Sequence, residues 1–280
     1  MPGVRGRRLD GYYRDWQLIN RKSPAQIEKI ARAGKIVAGC LEMMKGMCRP
    51  GITTAELDRA AEKFIGEKGG IPTFKGYRGF PASICASPNE MVVHGIPGGY
   101  RVAEGDIISL DVGVTLKSWV ADAALTVEVG DAGRLARRLM EVTETSLLRA
   151  IAKCRQGNRL GDVSHAVQEH VEANGFAVVR TLVGHGVGRR MHEEPQIPNY
   201  GEAGTGPELK EGMVFAIEPM VNAGTHKVVV GDDRWAISTA DGMLSAHFEH
   251  TVAITAAGPR VLTAGVDDER ISLDAASLLW

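Results

Sequence analysis

The sequence predicts an α+β protein whose helices pack on the outside of a curved, mostly antiparallel sheet. Three observations carry that prediction. The chain contains an internal duplication, each half runs as helices followed by strands, and the strand segments alternate in the period-two pattern of a pleated strand.

The duplication comes first because it sets the frame. Glu104-Gly105-Asp106-Ile107-Ile108-Ser109-Leu110-Asp111 shares its pattern with Glu211-Gly212-Met213-Val214-Phe215-Ala216-Ile217-Glu218: a Glu-Gly turn, an apolar strand, then an acid, 107 positions apart (104 to 211). Upstream, Arg49-Pro50-Gly51 opens a segment that closes at Lys68-Gly69. Arg155-Gln156-Gly157 opens another that closes at Asn174-Gly175, 106 positions on (49 to 155). Two matches at nearly one offset argue for two related halves, about 23–130 and 131–258, with an internal pseudo-two-fold inside a single domain over 23–280.

Ser23-Pro24 is an N-cap followed by a helix-opening proline, and Ile27, Ile30, Val37, Leu41 and Met44 follow at helical spacing. Thr53 or Thr54 caps a second helix through Leu57, Ala60, Ala61 and Phe64, which stops at Gly69-Gly70. In the second half Leu135, Leu139, Val142 and Ile151 mark one helix; Val163, Ala166, Val167, His170 and Val171 mark the next. Ile108, Leu110, Val112 and Val114 face one way from a strand while Ser109, Asp111 and Gly113 face the other. A turn at Lys117-Ser118 leads into its hairpin partner, Trp119 to Val129, and Phe248 to Ile254 is a further strand.

Composition bounds the function. Formal net charge is −1, so no global field favours nucleic acid or anionic lipid, and no apolar run reaches the roughly 20 residues of a bilayer span. Cys40, Cys48, Cys85 and Cys154 form neither CxxC zinc pairs nor a disulfide framework, which points to a reducing, cytoplasmic compartment. Residues 1–22 read as a basic flexible arm: either a solvated tail or a contact for a polyanion such as ribosomal RNA.

The chemistry is in the acids. Asp111 and Glu218 end equivalent strands, and each half carries a second acid on a later strand, Asp122 and Glu249. Either Asp alone could be a surface residue of a half-exposed strand. A pseudo-two-fold would instead gather all four carboxylates, and such a cluster repels itself unless cations sit within it. In Gly184-His185-Gly186-Val187-Gly188 the glycines leave His185 free to point into a cavity or to serve a Gly-rich turn structurally. His192-Glu193-Glu194-Pro195 fails as a zincin helix because Gln196 stands where the second His belongs, and Pro195 and Pro198 make this stretch a loop. An oxygen-rich donor set with one imidazole suits a pair of divalent ions such as Co, Mn, Fe or Zn. Two such ions ~3.5–4 Å apart share a hydroxide and polarise a carbonyl, which is metal-assisted amide hydrolysis.

Over roughly Ser23 to Gly258 the chain resembles the type I methionine aminopeptidases. The resemblance rests on Gly79-Phe80-Pro81-Ala82-Ser83-Ile84-Cys85, Asn89 to Pro97 with His94, Asp111 and Asp122 eleven apart, Gly184-His185-Gly186 through His192-Glu193-Glu194-Pro195, Ile217-Glu218-Pro219-Met220, and Phe248-Glu249-His250-Thr251. It implies the pita-bread fold and a catalytic domain whose two metals are held by Asp111, Asp122, His185, Glu218 and Glu249, with Asp122 and Glu249 bridging. It implies that Glu218 moves the proton of the attacking water, that His94 meets the scissile nitrogen or substrate, and that His192 meets the carbonyl. A pocket of Tyr77, Phe80, Cys85 and Trp235 would take the methionine side chain, with a small residue required next; ordinary core packing is the other reading of these four. A monovalent cation near Asn89 and Ser245 is also implied. The implied partners are nascent polypeptide N-termini and the ribosome, with no membrane, no specific nucleic acid and a monomeric state. Phe80 stands where many relatives have Tyr, and Phe74 and Met191 where some have Cys and Phe; these departures touch the pocket rather than the metals. Only thirty residues separate Glu218 from Glu249, which favours type I over type II, and the short N-terminal segment disfavours the prolidases.

Overall fold

The computed structural model describes residues 19–265. Four helices cover them: α1 (Pro24–Met47), α2 (Thr54–Glu67), α3 (Gly133–Lys153) and α4 (Leu160–Ala173). Fifteen strands follow in chain order: β1 (Ile71–Pro72), β2 (Cys85–Pro88), β3 (Met91–Val93), β4 (Ile107–Leu116), β5 (Trp119–Glu128), β6 (Ala177–Val178), β7 (Val183–Gly186), β8 (Glu193–Pro198), β9 (Val214–Ile217), β10 (Met220–Asn222), β11 (Val228–Val230), β12 (Ile237–Thr239), β13 (Ser245–His247), β14 (Glu249–Thr255) and β15 (Gly258–Val261).

Local chemistry explains the helix starts. The Ser23 hydroxyl accepts from the Gln26 amide while the Gln26 side chain accepts from the Ser23 amide, and Thr53 and Glu56 repeat this reciprocal cap on α2. Of the residues that mark α3 in the sequence, Leu135 is exposed, whereas Leu139, Val142 and Ile151 are buried.

The main sheet runs β1-β4-β5-β14-β9-β7-β8, with β2 added on β4 and β15 on β14, and its pairings are antiparallel. Lys117 and Ser118 both take left-handed backbone angles (φ 48° and 66°), so β4 and β5 join through the two-residue turn whose twist matches a hairpin. Residues 193–198, expected as a loop because of Pro195 and Pro198, form β8. The prolines are tolerated because β8 ends the sheet order, where a missing N–H costs no ladder bond.

The duplication is visible in the backbone. Gly51 N–H donates to Val102 O and Gly157 N–H to Leu209 O; Gly105 N–H donates to Val129 O and Gly212 N–H to Ile254 O. Thr53–Arg101 and Arg159–Glu208 are matching bridges. Each half thus contributes a helix pair and a strand pair (β4/β5 and β9/β14), and the halves meet where β5 pairs with β14. Outside the sheet are two cores. One packs Ile30, Val37, Leu57 and Ile65 onto Leu110 and Val112; the other packs Leu139, Val142, Val163 and Val167 onto Phe215 and Val252. Burying each such side chain contributes about 1.5–3 kcal/mol, so the helices hold the sheet from behind and leave its inner face for polar groups.

The sequence leads one to expect an arm over residues 1–22. Residues 1–18 lie outside the described residues, but Lys22 is buried, its amide donates to Gly212 O at 2.6 Å, and Arg21 Nε donates to Glu211 O at 2.6 Å. A buried ion pair of Lys22 with Glu193 draws this stretch into the domain. Residues 266–280 of the expected domain also lie outside the described residues.

α1 approaches the chain near Leu262 so closely that a Cβ on Gly34 would meet the Leu262 carbonyl oxygen at 2.0 Å. Gly→Ala inside a helix ordinarily stabilises by about 1 kcal/mol. Here the sign reverses: Gly34→Ala is expected to destabilise by roughly 1–3 kcal/mol through overpacking. Urea unfolding reads this directly, and a variant as stable as the parent contradicts the packing.

Candidate metal centre

Register alone brings the acids together. Asp111 on β4 lies opposite Ala124 on β5, and Ala124 lies opposite Glu249 on β14. Asp122 is two residues before Ala124, so it shares that face. Across β14, Thr251 faces Ala216 on β9, and Ala216 faces His185 on β7. Glu218, two residues past Ala216, completes the row just beyond the end of β9. One continuous face of five strands therefore carries Asp111, Asp122, Glu249, Glu218 and His185, all five candidates from the sequence.

The distances are those of a cluster. His185 Nε2 stands 3.6 Å from Asp122 Oδ2 and 3.6 Å from Glu218 Oε1. Ligand atoms of Asp122, His185 and Glu249 all lie within 4.8 Å of one another, and these three residues are buried. Thr251 Oγ1 donates to the Asp122 carbonyl oxygen (2.7 Å) and accepts from its amide (3.1 Å), which fixes the backbone under that acid.

Electrostatics shows what the cluster lacks. Burial pushes Asp122 up to about 6. Burial and then the charge of Asp122 hold Asp111 well above the usual carboxylate range. Burial followed by the neighbouring acids does the same for Glu218 and Glu249. Burial lowers His185 to about 4, so the ring is neutral. Its Nδ1 stands 3.0 Å from the Gly186 carbonyl oxygen, and the tautomer that donates there turns the lone pair of Nε2 toward two carboxylates. Asp111 Oδ1 and Glu249 Oε1 are buried without a hydrogen-bond partner. Acceptors crowded against acceptors, with oxygens orphaned, are the donor set of a divalent cation.

Around this centre stand the other candidates. His192 lies with its ring 4.3 Å from that of His185, and its Nδ1 is 2.8 Å from the Tyr77 hydroxyl; burial and then His185 lower it to about 4. His94 follows β3 in a left-handed conformation (φ 61°), half-buried, near enough to His192 and His247 to oppose their protonation. Phe80 and Trp235 meet edge to face with ring centres 5.2 Å apart, in a cluster with Phe74, Ala82, Cys85, Ile96 and Met191. Cys85 lies opposite Asp111 in the β2–β4 register, so this apolar cluster adjoins the acids, and burial with the charges of Asp111 and Glu249 keeps its thiol protonated. Asn89 and Ser245 meet through the backbone, Ser245 N–H donating to Asn89 O at 2.9 Å.

Sequence reasoning missed His247 and Thr251. His247 is fully enclosed, with Nε2 3.9 Å from Glu218 Oε2 and no hydrogen-bond partner. Thr251 lies two positions past Glu249 on β14 and shares its face, but His247 ends β13, and neither spacing says what the side chain meets.

A curved antiparallel sheet presenting acids and a neutral imidazole from both halves of a doubled chain defines a metal-dependent hydrolase. The comparisons agree. A model of metallopeptidase family M24 matches residues 28–256. The chain is 51% identical over 246 residues to a methionine aminopeptidase of Clostridium perfringens (88% of this chain, 99% of that protein) and 50% identical over 246 residues to methionine aminopeptidase 1 of Bacillus subtilis, at the same coverage. The crystal structure of methionine aminopeptidase from Thermotoga maritima superposes with a TM-score of 0.87 at 46% identity, covering 88% of this chain and 99% of that one. A prolidase from Pyrococcus furiosus shares the fold at 22% identity and a TM-score of 0.71. The chain belongs to metallopeptidase family M24, among its methionine aminopeptidases.

A pH trend follows. Raised carboxyl pKa values mean that the neutral acids stabilise the folded metal-free protein below their ordinary range and that this contribution is lost as they charge with rising pH. With Asp122 at about 6 and the other three acids raised in the same direction, the chelated protein is expected to lose thermal stability as pH rises from 5 to 7. Excess Mn(II) should remove that trend, because binding displaces the protons. Scanning calorimetry with chelator and with Mn(II) checks it; a chelated protein more stable at pH 7 than at 5 contradicts it.

Proposed function

We propose that this chain removes the N-terminal methionine from nascent proteins and peptides whose second residue is small. The observation that carries this reading is the row of four carboxylates and one lone-pair imidazole beside an apolar cluster, in a chain half identical to methionine aminopeptidases.

In this reading Asp111, Asp122, His185, Glu218 and Glu249 would hold two divalent ions, of the Co, Mn, Fe or Zn kind. Asp122 and Glu249 stand on the two strands that meet at the seam, with Asp111 on one side of them and His185 with Glu218 on the other. When bound, the ions acidify a water and polarise the scissile carbonyl. The remaining steps belong to side chains. The Glu218 carboxylate takes the proton of the attacking water and delivers it to the departing amine. With the Tyr77 hydroxyl donating to Nδ1, the neutral His192 ring carries its proton on Nε2 and donates it to the oxygen where negative charge develops. His94 meets the scissile nitrogen or substrate. Tyr77, Phe80, Cys85 and Trp235 form the wall that takes an unbranched thioether and keeps water from it.

Residues 219–248 hold the four short strands β10 to β13 and no helix, which favours the type I form. The reading also places a monovalent cation beside Asn89 and Ser245, and a monomer working in the cytoplasm near the ribosome. No helix among the described residues is long and apolar enough to cross a membrane.

A Met-Ala-Ser peptide should be cleaved to methionine and Ala-Ser, with activity lost on chelation and restored by Co(II) or Mn(II). An Ala-Pro peptide should be a poor substrate; preferential turnover of Ala-Pro would move the chain to the prolidases. Glu218→Gln should lower kcat by about 10²–10⁴-fold, the usual contribution of a positioned acid–base group.

A further inference from the structure

Lys22 and Glu193 form an ion pair with only 4% and 5% of their side chains exposed, Nζ to Oε2 2.8 Å. A pair this deeply placed is uncommon for Lys and Glu. It joins two distant parts of the chain: Lys22 immediately precedes the cap of α1, and Glu193 immediately follows His192. Glu193 uses its other oxygen as well, Oε1 accepting from the amides of Arg189 (2.9 Å) and Arg190 (3.2 Å), so one carboxylate closes the whole 189–193 turn. Lys22 is itself anchored, its Nζ donating to Asn20 O and its amide to Gly212 O. The packing leaves no slack: a Cβ on Gly188 would meet Glu193 Oε1 at 2.5 Å and Lys22 Cε at 2.7 Å.

We propose that Lys22 is a positioning residue for His192, acting through the Glu193 carboxylate to hold the turn that aims the imidazole into the cleft. The proposal rests on the reading that His192 donates to the reacting carbonyl. Without the ammonium, Glu193 is an uncompensated buried charge. Admitting water or swinging outward restores its solvation, and either movement displaces the adjoining residue. His192 is held on its ring side by one hydrogen bond, to Tyr77, so its backbone supplies the rest of its placement. A donor that serves the transition state must keep its position to within about half an ångström.

The test is a double-mutant cycle on the full chain, loaded with Mn(II) and assayed on Met-Ala-Ser. Lys22→Met is expected to lower kcat roughly tenfold or more with KM little changed, the pattern of a donor misplaced in the transition state. Combined with His192→Ala, it should produce no further loss, because the residue it positions is gone. Metal content by elemental analysis should match the parent in every variant. Should Lys22→Met fold poorly, Lys22→Gln, which removes the charge but can still donate a weaker hydrogen bond to Glu193, takes its place in the cycle, with a smaller loss of the same pattern expected. An equal fold-loss in both His192 backgrounds, or unchanged kcat, overturns the proposal. If His192→Ala alone keeps full kcat, the reading beneath the proposal fails instead, and the two failures are distinguishable.

Discussion

Everything at this site depends on the register with which β5 pairs with β14. That pairing is the seam between the two halves, and it is short: Glu249 lies opposite Ala124 and His250 opposite Ala123. Side chains alternate along a strand, so a slip of one residue would turn Glu249 toward the helices and place His250 among the acids. The seam is held in place by two devices. β14 continues into four registered pairs with β9, and the Thr251 hydroxyl, on β14, bonds to both the amide and the carbonyl of Asp122 on β5.

The same seam explains how a protein tolerates four carboxylates on one buried face. Packing supplies the stability from behind, through two apolar cores that press α1 and α2 on one half of the sheet and α3 and α4 on the other. The inner face is then free to be electrostatically unfavourable until cations arrive. Raised carboxyl pKa values, a neutral imidazole and orphaned oxygens are three expressions of that one imbalance. It is the ordinary signature of a functional site, where groups are held in an arrangement that folding alone would not favour.

Around the metal face the chain places its more specific chemistry on connecting segments. His94 follows a three-residue strand, Tyr77 sits in a tight turn, Trp235 lies between β11 and β12, and His192 stands in the turn before β8. Such segments cannot position a side chain by themselves. Contacts between segments supply the rest: His192 bonds Tyr77, Trp235 packs on Phe80, and the 189–193 turn is tied to Lys22 before α1.

Much of this was written in the amino-acid sequence. Helix caps, the Lys117-Ser118 turn, the alternation of β4 and the repeat near 107 positions are local or periodic features, and each depends on the physics of a few neighbouring residues. The repeat went further, since two acids at equivalent strand ends imply convergence once the halves are related by a two-fold. What remained hidden depends on contacts between residues far apart in the chain. Pro195 and Pro198 read as a loop because a sequence does not say that a strand lies at a sheet's edge. Lys22 read as part of a solvated arm, since its buried partner lies 171 residues away. His247 and Thr251 acquired their places only when β13 and β14 were laid beside Glu218 and Asp122. Local propensity and periodicity are properties of a segment, whereas burial and pairing belong to the folded whole, and only the tertiary structure decides them.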